Sequence, residues 1–139
     1  MEKITNTKNK FKELKELIKN SYSPYSKFAT AAIVHTDKGD FKGINVENIS
    51  YGATICAERN AIFTAVTNKA KKFYSLDLLS NSKSTELIPC GICLQVMSEF
   101  FGPEADVTVY NVNGKITKYK FKDLMGITIK KGIINAFNK

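Results

Sequence analysis

The sequence predicts an α/β fold in a single domain, residues 1–139. Three observations lead there. A chain of 139 residues with 43% hydrophobic content matches the ~100–150 residues that one core commonly serves. Segments with apolar residues at three- and four-residue spacing alternate along the chain with short apolar runs of strand character. Two turn signals, Asp37-Lys38-Gly39-Asp40 and Asn113-Gly114, join neighbouring strand-like runs into hairpins.

The first helix is expected over 7–20, where Phe11, Leu14, Leu17 and Ile18 share one face and Lys10, Lys12, Glu13, Lys15 and Glu16 the other. Residues 21–26 place Pro24 between Tyr22 and Tyr25 and read as an irregular connection. An apolar run at 29–34, the turn at Asp37, and a second run at 41–46 form a hairpin, followed by a polar loop at 47–54. From Cys56 onward, Ala57, Ala61, Ile62, Ala65 and Val66 make a helical stripe without glycine or proline, ending over 68–72. Residues 74–80 read as a third strand and 81–86 as a loop. Pro89 and Gly91 fit a tight turn around Cys90, and Ile92, Val96 and Phe100 recur in a helix ended by Gly102-Pro103. Val107, Val109, Asn113-Gly114 and 116–121 give the second hairpin, while 127–137 fits helix and strand equally. No internal repeat or low-complexity segment interrupts this order.

All three cysteines fall in one pattern, Cys56-Ala57-Glu58 and Pro89-Cys90-Gly91-Ile92-Cys93, each half opening a predicted helix. Three thiolates can hold zinc and leave its fourth tetrahedral position open to water, with the Glu58 carboxylate placed to move that water's proton. A structural zinc site wants four ligands, yet there is no fourth cysteine, and the single histidine, His35, falls in or at the end of a strand. Helix N-termini facing Cys56, Cys90 and Cys93 would offset the surplus thiolate charge. The chain's only arginine, Arg59, lies three residues after Cys56 and can add donors to the sulfurs. The pattern points to a zinc hydrolase.

An odd cysteine count cannot complete a set of internal disulfides, and a C-x-x-C pair without a secretory hydrophobic region points to a reducing, cytoplasmic setting. No apolar run reaches the ~18 residues of a membrane-spanning helix. The net charge of +8 raises the question of a polyanion partner, but the lysines are scattered from Lys3 to Lys139 with only short pairs such as Lys71-Lys72 and Lys130-Lys131. That distribution reads as compositional bias, and nucleic acid is not an expected partner.

Taken in order, the segments Tyr22-Ser23-Pro24-Tyr25-Ser26-Lys27-Phe28, Gly43-Ile44-Asn45-Val46-Glu47-Asn48, Tyr51, Cys56-Ala57-Glu58-Arg59 and Pro89-Cys90-Gly91-Ile92-Cys93 resemble the small, tetrameric, zinc-dependent cytidine deaminases. The resemblance covers most of residues 10–125 and implies a three-layer α/β/α domain with a central mixed sheet of about five strands, assembled as a homotetramer. It implies one Zn2+ per chain on Cys56, Cys90 and Cys93, with Glu58 as proton shuttle. Asn45 and Glu47 correspond to a pair that hydrogen-bonds the ribose, Phe28 to an aromatic against the pyrimidine, and the Ala57 N–H to a donor to its carbonyl. Tyr51 corresponds to a residue near the subunit interface that shapes a neighbouring site.

The implied reaction is hydrolysis of cytidine and deoxycytidine to uridine and deoxyuridine by zinc-bound hydroxide, within pyrimidine salvage. The implied partners are a pyrimidine nucleoside and further copies of the chain, with no membrane. Three departures stand out: Leu94, before Gln95, where the family has arginine; Ala31 in place of a glycine; and the ending Leu124-Met125-Gly126-Ile127-Thr128, which lacks an aromatic. Two rivals follow. One is a deaminase of a modified nucleoside or aminonucleoside antibiotic, against which Asn45-Val46-Glu47 argues because it suits an unblocked ribose. The other is a zinc-stabilised basic module that binds nucleic acid without catalysis and is indifferent to Glu58→Gln.

Overall fold

The structure is a computed structural model that describes residues 2–125. Helix α1 (Glu2–Ile18) leads to a hairpin of β1 (Thr30–Thr36) and β2 (Gly39–Ile44). A short 3-10 turn (Tyr51–Ala53) precedes α2 (Ala57–Thr67) and β3 (Phe73–Ser80). Next come α3 (Gly91–Phe100), β4 (Phe101–Tyr110), β5 (Ile116–Lys120) and the single turn α4 (Phe121–Leu124). The strands form one mixed sheet in the order β2-β1-β3-β4-β5, antiparallel throughout except for β3 and β4. Parallel strands cannot be joined by a tight turn, and α3 lies in the crossover between them.

Strand β1 shows why the apolar run at 29–34 does not alternate with polar residues. Ala31 and Ile33 turn to one face, where Leu14 of α1 packs with Leu79 and Tyr110. Ala32 and Val34 turn to the other, against Ala57, Ala61, Ile62 and Ala65 of α2 and Met97 of α3. Both faces are covered, so both sets are apolar. The result is the expected three layers around a five-stranded mixed sheet. Ala31, where the resembled family has glycine, is fully buried beneath α1, and Leu94 packs beside the core on the α2 face.

Small residues set the α2–sheet distance. A Cβ at Gly43 of β2 would stand 2.4 Å from both the Ala57 carbonyl oxygen and the Ala61 amide nitrogen, so only glycine allows this approach. In the hairpin turn Gly39 takes φ 101, a left-handed conformation that costs glycine little.

Several boundaries differ from the sequence reading. The second strand was expected to run to Val46, but β2 stops at Ile44; Val46 leaves the sheet to exchange backbone hydrogen bonds with Ile55, both at 3.0 Å. Gly102-Pro103 does not separate α3 from the next strand: the chain turns extended at Phe101 itself, with φ −95 and ψ 140. The β3–β4 register jumps from Phe73↔Phe101 to Ser75↔Asp106, so Pro103 lies in a bulge where its missing N–H breaks no rung. Phe121, expected to end a strand, opens α4 because its buried ring belongs to the core. The segment 127–137 and Gly126, Ile127 and Thr128 of the divergent ending lie outside the described residues.

Candidate active site

Cys56 caps the N-terminus of α2 and Cys90 that of α3, and Cys93 lies in the first turn of α3. Packing both helices on the same face of the sheet brings the three sulfurs within 4.8 Å of one another, with Cys56 Sγ and Cys90 Sγ 3.7 Å apart. Free N–H groups surround them: the Cys93 N–H donates to Cys90 Sγ at 3.5 Å, and Arg59 Nη2 donates to Cys56 Sγ at 3.4 Å. Arg59 Nε is buried and has no partner among the described residues.

Three thiols this close share their protons unequally. A hydrogen bond from Cys93, aided by Arg59, pulls the Cys56 thiol well below its ordinary value, while that same contact and burial push the Cys93 thiol up. The cluster already favours one thiolate, and a soft or borderline cation replaces the remaining protons. Geometry and donor chemistry therefore both fit zinc.

Glu58 follows in the first turn of α2, 5% exposed and 3.6 Å from Cys93 Sγ. Burial pushes its carboxyl up to about 7, so near neutrality it is poised to take or give a proton. Beside it, Ala57 is fully buried as the first residue of α2, where its N–H has no partner within the helix.

These groups open onto a cavity of about 240 Å3 whose walls include Phe28, Asn45, Glu47, Leu87 and Ile88. Asn45 is 7% exposed and its amide orientation is fixed: Oδ1 accepts from the Thr30 N–H at 2.9 Å and from Ser21, while Nδ2 donates to the Phe28 carbonyl at 2.8 Å. One Nδ2 hydrogen is left to donate. Glu47 Oε1 accepts from the N–H groups of Tyr25 and Ser26, and Oε2 from the Ser26 hydroxyl, which leaves carboxylate lone pairs for a further donor. A spare donor beside a spare acceptor matches a hydroxyl group, which needs one of each.

Of the residues singled out from the sequence, Cys56, Ala57, Glu58, Arg59, Cys90 and Cys93 meet in one place, with Phe28, Asn45 and Glu47 around the same cavity. Tyr51 is set apart, 78% exposed in an adjoining concavity of about 410 Å3, with its ring edge-on to Tyr25 at 6.3 Å. His35 is no fourth ligand, since its ring lies between Asp40 and Asp77. Sequence reasoning missed Ser21, Ser26 and Thr30, which hold Asn45 and Glu47, and the apolar wall of Leu87 and Ile88. The signal for that wall was two apolar residues directly before Pro89; the hydrogen bonds had none, because they join segments distant in sequence.

A three-thiolate centre and a buried carboxylate, set at two helix N-termini beside an open cavity, define the class: a zinc-dependent enzyme on an α/β/α sheet. The chain belongs to the family described as cytidine and deoxycytidylate deaminase zinc-binding region, which matches residues 5–110. It is similar to a cytidine deaminase from Sporosarcina psychrophila, 34% identical over 128 residues, 91% of this chain and 88% of that protein. Its fold resembles the crystal structure of cytidine deaminase from Burkholderia pseudomallei with TM-score 0.78, at 33% identity, covering 85% of this chain and 94% of that one. A blasticidin-S deaminase from Bacillus cereus is more distant, 28% identical over 108 residues, 72% of this chain and 76% of that protein. No described helix is long and apolar enough to cross a membrane.

Proposed function

We propose that the protein hydrolyses cytidine and deoxycytidine to uridine and deoxyuridine, releasing ammonia, as a step of pyrimidine salvage in the cytoplasm. The observation that carries this reading is buried Glu58 beside the three cysteines, facing the cavity that Asn45 and Glu47 also line. Zinc held by Cys56, Cys90 and Cys93 supplies Lewis acidity that lowers the pKa of water and makes a nucleophile available near neutral pH.

Glu58 removes the proton from the attacking water and returns protons to the ring nitrogen and the departing amine, so ammonia leaves as a neutral molecule. The free N–H of Ala57 donates to the pyrimidine carbonyl, and Phe28 covers the ring. Asn45 donates to a sugar hydroxyl that in turn donates to Glu47. Arg59 spreads the thiolate charge and keeps the cation electrophilic. The exposed side chains of Tyr51 and Tyr25, which line the adjoining concavity, and of Ile49 support self-association, proposed here as a homotetramer.

The test is the loss of cytidine ultraviolet absorbance by zinc-loaded wild type and Glu58→Gln. The variant keeps its zinc and loses turnover by about 10²–10⁴-fold. Retained turnover rejects the role of Glu58, and an inactive but folded and metal-loaded wild type rejects the substrate. Adding blasticidin S to the substrate panel separates cytidine from the antibiotic named in the distant relative.

A further inference from the structure

The turn that carries Phe28 is built in an unusual way. Lys27 takes φ 61, a left-handed conformation that favours glycine and is costly for a lysine. Its N–H closes onto the Ser23 carbonyl at 3.0 Å, but the outer side of the turn is held by a side chain from another segment. Tyr25 N and Ser26 N both donate to Glu47 Oε1, at 3.0 and 3.1 Å. The Ser26 hydroxyl then does two jobs at once: it donates to Glu47 Oε2 and accepts from the Phe28 N–H at 3.0 Å.

We propose that Ser26 is a positioning residue that couples the sugar contact to the base contact, locking the Glu47 carboxylate and the Phe28 backbone to one hydroxyl. The inference rests on the proposed contact between Glu47 and the nucleoside sugar. With the hydroxyl in place, Glu47 keeps one rotamer with its remaining lone pairs toward the cavity, and Phe28 is held at a fixed height over it. Without it, the strained turn loses a hydrogen bond to a charged acceptor and Phe28 loses the acceptor for its N–H. Glu47 is held below the usual carboxylate range first by the Ser26 hydroxyl and then by the Ser26 N–H. Lys27 is its charged neighbour; Tyr25 and Tyr51 line the adjoining concavity, and Cys56, Glu58 and Cys90 the cavity itself.

Ser26→Ala and Ser26→Thr should be compared with wild type for cytidine KM and kcat, and for inhibition by the product uridine across the acid range. In Ser26→Ala, KM rises about tenfold while kcat changes less than twofold, as expected for one lost hydrogen bond to a charged group. Because that variant's Glu47 loses its strongest donor, its carboxyl protonates at higher pH, and the acid loss of uridine binding moves to higher pH with it. Ser26→Thr keeps the hydroxyl and returns both readouts toward wild type. An acid midpoint in Ser26→Ala that coincides with wild type overturns the proposal whatever happens to KM, since the hydroxyl would then not be holding the Glu47 carboxylate. The sugar reading fails by a separate result: wild-type KM unchanged for cytidine analogues lacking either ribose hydroxyl.

Discussion

At the level of single residues, the chemistry-bearing groups were readable because reactivity is confined to few residue types. Three cysteines and one glutamate at fixed spacing, each near a helix start, have few alternative uses. Ser26 and Ser21 could not be recognised the same way, since serine is common and the cavity residues these two hold, Glu47 and Asn45, lie 21 and 24 positions away. His35 lies in β1, where the sequence expects a strand, but nothing local marks its partners. It is clamped: Nδ1 is 2.6 Å from Asp40 and Nε2 2.6 Å from Asp77, with Lys10 of α1 also bonding Asp40 at 2.9 Å. Two carboxylate partners are satisfied only by an imidazolium, which donates from both nitrogens. Burial alone lowers the pKa, but the bonds to Asp77 and Asp40 outweigh it and the net shift is upward. A raised folded-state value stabilises fully below the ordinary 6.5 and is lost as pH climbs through the raised value. Urea unfolding should therefore show wild type losing stability against His35→Gln as pH rises through that window. NMR of the chain's single imidazole gives the titration directly, and a value at or below 6.5 would contradict the clamp.

Elements were legible wherever one period dominated, as in α1, α2 and β3, and blurred where tertiary contacts decide. Val46 is strand-like in composition but is captured by Ile55, and Phe121 is pulled into a helical turn by the core. The structure makes Gly43 the contact through which β2 seats α2. Gly43→Ala puts a methyl group against helix backbone at 2.4 Å, and backbone cannot rotate out of the way. The expected cost is about 1–3 kcal/mol of stability, read from denaturant midpoints. Zinc affinity should fall as well, because Cys56 and Glu58 move with the start of α2. A variant of unchanged stability and zinc affinity would show that α2 is positioned by something else.

For the whole molecule, the sequence indicated the class and the hairpins, while the strand order β2-β1-β3-β4-β5 is a property of three-dimensional packing with no local signature. The proposed self-association is a matter of the same scale. Ile49, two residues before Tyr51 in the chain, is 80% exposed, an apolar side chain that a contact between copies would cover. Ile49→Lys should sediment as a smaller species than wild type and, if neighbours shape the site, show a raised cytidine KM. Equal sedimentation would reject Ile49 as part of a contact between copies.

The sulfurs of Cys56 and Cys90 meet across 34 positions of chain, with all of β3 lying between them. A cation joining them therefore acts as a removable cross-link, closing a ring that includes α2 and β3. Loop-closure entropy for a ring of this size, counted as for a disulfide, is about 3–4 kcal/mol. Cys90 and Cys93, only three residues apart, can capture the ion while the chain is still open, but Cys56 can join only once the ring is drawn shut. Removing the metal therefore releases α2 and β3 from one shared tie.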